Sequence, residues 1–116
     1  MADTAIKSEE EKKEYFDSPE VLDKKCEELA LWIRSSEHFV VFTGAGISTS
    51  AGIPDFRSGV GTVLETGPGA WEKAAFKDKV KNKDYVRKPI QKALPTSTHM
   101  AILGMMEAGL LKFVIS

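Results

Sequence analysis

Apolar residues recur at two kinds of spacing along this chain, one typical of helices and one typical of buried strands. An early set follows at intervals of four, three and four: Leu22, Cys26, Leu29 and Ile33. These intervals predict one apolar helical stripe, so we expect Cys26 to be a small core residue and not a nucleophile. The unbroken apolar run 39–42 then favours a strand buried on both faces, as in a parallel sheet.

The same two patterns return near the end of the chain. Apolar residues recur at intervals of three, three and four, namely Met100, Leu103, Met106 and Leu110, and Ile102 supports this stripe. They predict a second amphipathic helix, with Gly109 placed for its C-terminal cap. The run 113–115 predicts a second buried strand. A strand, a helical connection and another apolar strand indicate a right-handed parallel βαβ unit.

Two polar stretches have the residues of helix starts. Before the first stripe, Asp17 or Ser18 can accept a hydrogen bond from a first-turn amide, and Pro19 fits the first turn. Before the second stripe, the stretch 95–98 reads Pro-Thr-Ser-Thr. We therefore expect helices to begin close to these positions.

The segment directly after the first predicted strand contains the strongest chemical signal. Gly44 and Gly46 would let the backbone turn sharply and approach a ligand closely. The hydroxyl residues 48–50 would cap a following short helix, whose first amides attract phosphate. The pattern is weak alone, because the dinucleotide fingerprint has a third glycine where this chain has Thr49. No Gly-Lys-Ser/Thr follows, so it is not a Walker loop.

An acid, an aromatic ring and a guanidinium follow at positions 55–57. Arg57 is suited to hold a phosphate or carboxylate through two parallel hydrogen bonds. Phe56 would cover a flat ring or exclude water, and Asp55 would fix Arg57 or a neighbouring amide. The alternative interpretation is an ordinary loop salt bridge beside a buried phenylalanine.

The region that follows has less pattern. Its four glycines within eleven residues predict a mobile segment near the site and not a packed element: Gly59, Gly61, Gly67 and Gly69. A helical turn is expected from Trp71 to Phe76, with Trp71, Ala74, Ala75 and Phe76 facing inward. Residues 71–92 contain eight bases and three acids, which favours a solvated face over a nucleic-acid or chromatin contact.

Composition narrows the class of protein. The chain has 116 residues, enough for one domain with a modest core, and a net charge of −1, which does not favour bulk binding to polyanions. A lone cysteine excludes a disulfide or a multi-cysteine zinc site built from this chain, and fits a reducing intracellular compartment. We see no signal peptide and no apolar run long enough to cross a bilayer, so no membrane contact is expected.

Two longer motifs join these features. The first is Gly44-Ala45-Gly46-Ile47-Ser48 with Gly52-Ile53-Pro54-Asp55-Phe56-Arg57, and the second is Pro95-Thr96-Ser97-Thr98-His99-Met100-Ala101. Together they resemble the signature of the sirtuins, the NAD-dependent protein deacylases, and the segment 109–116 resembles the family's following strand. Gly-Ile-Ser-Thr-Ser and Thr-His-Met-Ala are most similar to the branch with nuclear, chromatin-associated members.

The resemblance implies the fold and the cofactor. It implies an α/β fold in which residues 17–116 form the Rossmann-like parallel βαβ portion of a sirtuin catalytic domain, after a flexible acidic arm at 1–16. It implies NAD as cofactor and acyl transfer from lysine to ADP-ribose with release of nicotinamide. The implied cofactor-binding residues are Gly44, Ala45, Gly46, Ser48, Thr49, Asp55, Phe56 and Arg57.

Within that set the resemblance implies different roles. Ala45 and Thr49 contact the phosphates and sugars, while Phe56 and Arg57 lie over the nicotinamide side with Asp55 supporting them. The two glycines and Ser48 shape the pocket. Arg57 is also the catalytic-site residue of this chain, in a supporting role. The histidine at the second helix start, His99, matches a structural position and not the catalytic base.

The implied partners are an acyl-lysine protein, with histones as candidates, and zinc in a complete homologue. The sequence to Ser116 has neither the four zinc-binding cysteines nor the catalytic histidine of the family, so we expect truncation before both. The resemblance implies an aromatic lid residue where this chain has Val63, and Trp71 is a candidate substitute whose spacing differs. We expect residues 1–116 alone to be marginally stable and inactive.

Other functions remain open at this point. A truncated chain would act as a non-catalytic interaction module. Mono-ADP-ribosyl transfer is a variant of the same chemistry, since both reactions open the same glycosidic bond. A different Rossmann enzyme, such as a dehydrogenase, is disfavoured by the missing third glycine.

Overall fold

The computed structural model describes residues 8, 10, 13–75 and 85–116. Its elements, in chain order, are α1 (Pro19–Ser35), β1 (Phe39–Phe42), a 3₁₀ helix (Ala45–Ala51), α2 (Ala70–Ala75), a second 3₁₀ helix (Ile90–Lys92), α3 (Ser97–Glu107) and β2 (Leu111–Ile115). They form two compact units: a strand unit of residues 15–43 and 98–116, and a loop unit of residues 44–97 with the described residues before 15. Most of the predicted arm, Phe76 and residues 77–84 of the basic run lie outside the described residues.

The strand unit is built on a parallel pair of strands. β1 and β2 pair with Val40 opposite Phe113 and Phe42 opposite Ile115. The pairing extends one residue past β1, because the Thr43 amide donates to the Ile115 carbonyl at 2.8 Å. Because α3 connects the two strands in the sequence, the predicted parallel strand–helix–strand order is confirmed.

The expectation that both strand faces are buried is wrong. Successive side chains of a strand point to opposite faces, and exposure alternates along β1, with 80% of Phe42 accessible. Phe113 of β2 is also exposed. Leu111 is the one buried residue among the described residues of the strand unit. Two strands and the helices of this unit do not cover both faces of the sheet.

The first helix begins at Pro19 as expected, but its start is stabilised differently. Neither Asp17 nor Ser18 caps a first-turn amide through its side chain. The Asp17 carboxylate accepts a hydrogen bond from Lys25 Nζ at 2.6 Å. The Ser18 hydroxyl bonds the Glu20 carboxylate and thereby lowers the pKa of that exposed group.

The apolar stripe of α1 is not a core stripe in this structure. Leu22 and Leu29 are half exposed, and Cys26 is exposed, so the core role predicted for the cysteine is wrong. No residue of α1 is buried. The period of the stripe identified the helix, but the surface that would bury it is not supplied by the described elements of the strand unit.

The second predicted helix ends where the sequence places its cap. Gly109 has a left-handed φ of 73°, and its amide donates to the Met106 carbonyl. The less exposed face, however, contains His99, Ile102 and Met105, whereas the predicted stripe beginning at Met100 is exposed. Apolar residues occur on several sides of α3, so spacing alone did not select the right face.

The loop unit contains a packed turn where a mobile, unpacked segment was expected. Residues 66–69, Thr-Gly-Pro-Gly, are all buried. Arg87 fastens this turn, since its Nε donates to the Thr66 carbonyl at 3.2 Å and its Nη2 to the Pro68 carbonyl at 3.3 Å. We call residues 66–69 the buried turn.

The two glycines of the buried turn explain why it packs. Gly67 has a φ of 70°, and a Cβ there would lie 2.2 Å from the Tyr85 ring. A Cβ on Gly69 would lie 2.3 Å from the backbone carbonyl carbon of Phe56. The segment reads as flexible by composition, yet its glycines allow a close approach that side chains would prevent.

The short helix α2 follows the buried turn. It covers nearly the range predicted, but Trp71, Ala74 and Ala75 are exposed, so the predicted inward orientation is wrong. Glu72 is the buried residue of this helix. None of the described helices has the length and apolarity needed to cross a membrane.

Candidate functional site

The candidate site begins with a 3₁₀ helix and not with a capped α-helix. Gly44 precedes it in an extended conformation, and the hydroxyl residues Ser48 and Thr49 lie inside the helix, so the predicted capping role is wrong. The Thr49 hydroxyl donates to the Gly46 carbonyl at 2.9 Å. This bond joins residues three apart, the separation at which a 3₁₀ helix brings residues into line.

The glycines of the Gly-Ala-Gly segment are not required by the backbone. Gly44 has a φ of −118°, which any residue adopts, and the positive-φ glycines of the described chain are Gly52, Gly67 and Gly109. A Cβ added at Gly44 or Gly46 would meet nothing within 4 Å. Neither glycine is therefore needed for a left-handed backbone conformation, and both border open space.

The left-handed residue of this segment is Gly52. This buried residue has a φ of 86°. The Gly52 amide donates to the Thr49 carbonyl at 3.0 Å, and the Lys88 amide donates to the Gly52 carbonyl at 3.0 Å. A Cβ there would lie 3.1 Å from Lys88 Cγ. Gly52 thus ends the 3₁₀ helix and leads the chain towards residues 55–57.

Residues 55–58 are bonded along their backbone to the end of the buried turn and the start of α2. The amide of Gly69 donates to the Ser58 carbonyl, that of Ala70 to the Asp55 carbonyl, and that of Trp71 to the Phe56 carbonyl, at 2.9, 2.9 and 3.0 Å. Two loop segments more than ten residues apart in sequence therefore form one layer. This pairing places Phe56 and Arg57 on a fixed backbone.

The side chains of this segment separate the two interpretations made from the sequence. Asp55 accepts hydrogen bonds from the Ser58 amide and hydroxyl, so it fixes a neighbouring amide and does not form a salt bridge with Arg57. Phe56 is 51% exposed, which contradicts a buried phenylalanine. The Arg57 guanidinium lies 5.4 Å from the ring centroid of Trp71. The aromatic ring and the guanidinium thus remain accessible.

A residue outside the predicted set joins the two sequence motifs. Thr96 is buried, and its hydroxyl donates to the carbonyl of Ile47 at 2.8 Å. The Pro-Thr segment is thus tied to the middle of the 3₁₀ helix. Its place directly before α3 pointed only to helix capping, so the sequence contained no signal for this contact.

Two cavities adjoin the far end of the 3₁₀ helix. The larger, about 350 Å³, is lined by Ser50, Ala51, Lys88, Lys92, Leu94, Pro95, Thr96 and Ser97. The smaller, about 130 Å³, includes Thr49 and Thr66 in its lining. The Thr66 hydroxyl is buried without a hydrogen-bond partner. Of the predicted site residues, Thr49 is the one that lines these cavities.

The described residues do not include a group of three or more His, Cys, Asp or Glu side chains arranged to hold a metal ion. The predicted site residues offer backbone amides, hydroxyls, one carboxylate, one guanidinium and one aromatic ring. Such a set is suited to binding a phosphate-containing ligand with a flat ring.

Known proteins are similar to this chain over most of its length. It is 50% identical over 105 residues to the NAD-dependent protein deacetylase SRT1 of Oryza sativa subsp. indica, covering 89% of this chain and 19% of the relative. It is 49% identical to the NAD-dependent protein deacetylase Sirt6 of Drosophila melanogaster, covering 89% and 29%. For sirtuin-7 of Mus musculus the identity is 40%, covering 89% and 22%. The chain thus spans less than a third of the length of each of these relatives.

The family assignment rests on a match that includes both sequence motifs. The profile of the Sir2 family matches residues 44–116, from the Gly-Ala-Gly segment to β2. This range contains the 3₁₀ helix, the bonded layer of residues 55–58 and 69–71, and the contact of Thr96. The helices and the parallel strand pair agree with a Rossmann-like α/β portion of such a domain. The chain therefore belongs to the Sir2 family.

Proposed function

We propose that this chain is the cofactor-binding portion of an NAD-dependent protein-lysine deacylase. The names of three relatives, each an NAD-dependent protein deacetylase, support the proposal. The match covers less than a third of each relative. The proposal therefore concerns the activity of the protein to which this sequence contributes.

The observation that carries the proposal is the open space at the Gly-Ala-Gly segment. Gly44 and Gly46 are required neither by their φ angles nor by neighbouring atoms. A Cβ at either position would instead project into the space next to the 3₁₀ helix. Glycine there fits a backbone that a ligand approaches closely, which is how dinucleotide pyrophosphates are commonly held.

The residues present also fit the rest of NAD. We propose that Ala45 and Thr49 contact the phosphates and sugars, and that Phe56 and Arg57 border the nicotinamide side. Gly44, Gly46 and Ser48 would shape the pocket. Asp55 would support Phe56 and Arg57 indirectly, because its carboxylate accepts hydrogen bonds from the Ser58 amide and hydroxyl and so holds the backbone that follows Arg57. Bound NAD supplies a glycosidic bond whose cleavage releases nicotinamide and leaves ADP-ribose to accept an acyl group.

We propose an acyl-lysine protein as the substrate, with histones as candidates, and the nucleus as the location. The support is the similarity of the Gly-Ile-Ser-Thr-Ser and Thr-His-Met-Ala motifs to the nuclear branch of the family. A zinc module and a catalytic histidine would come from another part of the protein.

The test is turnover of an acetylated histone peptide by the full-length protein that carries this sequence. We expect NAD-dependent formation of nicotinamide and O-acetyl-ADP-ribose, measured by mass spectrometry. Arg57→Ala should lower kcat/KM for NAD by roughly ten- to 150-fold, because a charge-assisted hydrogen bond is worth about 1.5–3 kcal/mol. Its urea midpoint should stay unchanged, since Arg57 is exposed.

Arg34→Ala is the matched control, because Arg34 is an exposed arginine in the last turn of α1. It should leave both kinetics and stability unchanged. Unchanged kinetics in Arg57→Ala would refute the role of that residue. Modification of the peptide by ADP-ribose, without loss of its acetyl group, would support the transferase variant instead.

A further inference from the structure

The Arg57 side chain is not held in place by an ion pair with any described residue. It is exposed. A free arginine side chain samples many rotamers, and ordering it on a ligand weakens binding. The described contact of its guanidinium is with the Trp71 ring, at 5.4 Å from the centroid. This distance is within the range of a cation–π interaction.

The Trp71 ring is held by two independent features. Its backbone amide donates to the Phe56 carbonyl at 3.0 Å, within the layer formed by residues 55–58 and 69–71. Its ring also packs on the Phe56 ring, with centroids 5.3 Å apart and planes inclined by 40°. The position of the indole is therefore set by the same backbone that carries Arg57.

The layer depends on the absence of a side chain at Gly69. A Cβ there would lie 2.3 Å from Phe56 C and 2.4 Å from Arg57 N, so a side chain would separate the two segments. Residues 59–68 form a loop whose two ends are joined by the hydrogen bond from the Gly69 amide to the Ser58 carbonyl, at 2.9 Å. This closed loop brings Trp71 next to Arg57 although the two are distant in sequence.

We propose that Trp71 is a positioning residue, whose indole face orders the Arg57 guanidinium before ligand binds. The contact requires an aromatic ring and not merely an apolar side chain. Its effect on cofactor binding rests on the proposed function, whereas the contact itself does not. Trp71 is exposed at 52%, so it adds to the border of the candidate site without belonging to the buried core.

The contact is tested first, in the full-length protein without NAD. Trp32→Phe removes a tryptophan of α1, and any tryptophan outside residues 1–116 is replaced by phenylalanine in the same way, so that emission reports Trp71. In this background Arg57→Met should shift the emission and increase acrylamide quenching, because it removes the charge but keeps the aliphatic stem. Lys73→Met, which removes an exposed charge in α2, should change neither. Equal changes in both variants would overturn the proposal.

The positioning role is tested by the choice of side chain at residue 71. Trp71→Leu should raise the KM for NAD about two- to fivefold with little change in kcat, the effect expected for loss of one exposed cation–π contact. Trp71→Phe should restore KM to within about twofold of wild type. Trp32→Leu, in the strand unit, is the control for loss of an exposed indole.

The outcomes separate this proposal from the proposed function. Equal KM values in the Leu and Phe variants would overturn the positioning role, because a merely structural residue does not require a π face. A wild-type protein without NAD-dependent turnover would refute the proposed function. In that case the emission measurements alone would support or overturn the Arg57–Trp71 contact.

Discussion

Two of the three Gly-x-Gly segments of this chain, 44–46 and 67–69, have the same pattern and opposite environments. At Gly44 and Gly46 a Cβ would meet nothing within 4 Å, and Gly44 is not in the left-handed region. At Gly67 and Gly69 a Cβ would lie 2.2 Å from a side-chain atom and 2.3 Å from a backbone atom. The first pair is open to a ligand, whereas the second pair is occupied by the protein itself.

The difference shows that a glycine pattern has two distinct physical causes. Glycine allows close approach, but the partner is either another segment of the chain or a molecule from outside. From the sequence, the first segment was predicted to approach a ligand closely and the second to be mobile. The packed surroundings of the second pair identify it as structural, whereas the empty surroundings of the first pair leave room for the proposed ligand.

The largest expected effect comes from Gly69→Ala. The new methyl group would overlap the backbone at Phe56 and Arg57, which cannot move away as a flexible side chain does. We expect a loss of about 3 kcal/mol or more, measured as a lower urea midpoint, since overpacking of a tight site costs about 1–3 kcal/mol and occasionally more. Gly59→Ala, on the same loop with open space around its Cβ, is the control. If the two variants unfold at the same urea concentration, the buried turn is not packed as described.

A smaller effect is expected from Gly109→Ala, which separates backbone conformation from space. Gly109 has a φ of 73°, but a Cβ at this position would meet no atom within 4 Å, so only the left-handed conformation opposes a side chain. We expect a loss of about 1 kcal/mol in thermal or urea unfolding. Gly104→Ala, inside α3 with similar space, should instead stabilise by about 0.5–1 kcal/mol. Changes of the same sign in both variants would contradict this explanation.

The smallest effect on stability is expected from Gly46→Ala, together with a clear effect on binding. No atom of the protein opposes the methyl group, so the free energy of unfolding should change by less than about 0.5 kcal/mol. Affinity for NAD, measured by calorimetry, should fall about tenfold or more, since the methyl group would occupy the space assigned to the ligand. Gly61→Ala, also in open space, should change neither quantity. Wild-type affinity in Gly46→Ala would show that the ligand does not approach this glycine.

The strand unit shows how far periodicity reaches. Spacing located α1, α3 and the strand pair, and Gly109 was identified as a helix cap. Spacing did not determine burial: Cys26 is exposed, and α3 turns His99, Ile102 and Met105 away from solvent more than the predicted stripe. Period describes which residues share a face, but burial depends on what other segments place against that face.

The site divides in the same way. The residue pattern alone identified the family, the order of strand, glycine segment and helix, and the residue types suited to a phosphate-containing cofactor. The folded structure was needed to show that Asp55 bonds Ser58, that Trp71 lies beside Arg57, and that Thr96 is tied to Ile47. The Trp71–Arg57 and Thr96–Ile47 contacts join residues up to 49 positions apart, and no local pattern encodes them. Local propensity and spacing act over a few residues, whereas these partners are selected by the packing of distant segments.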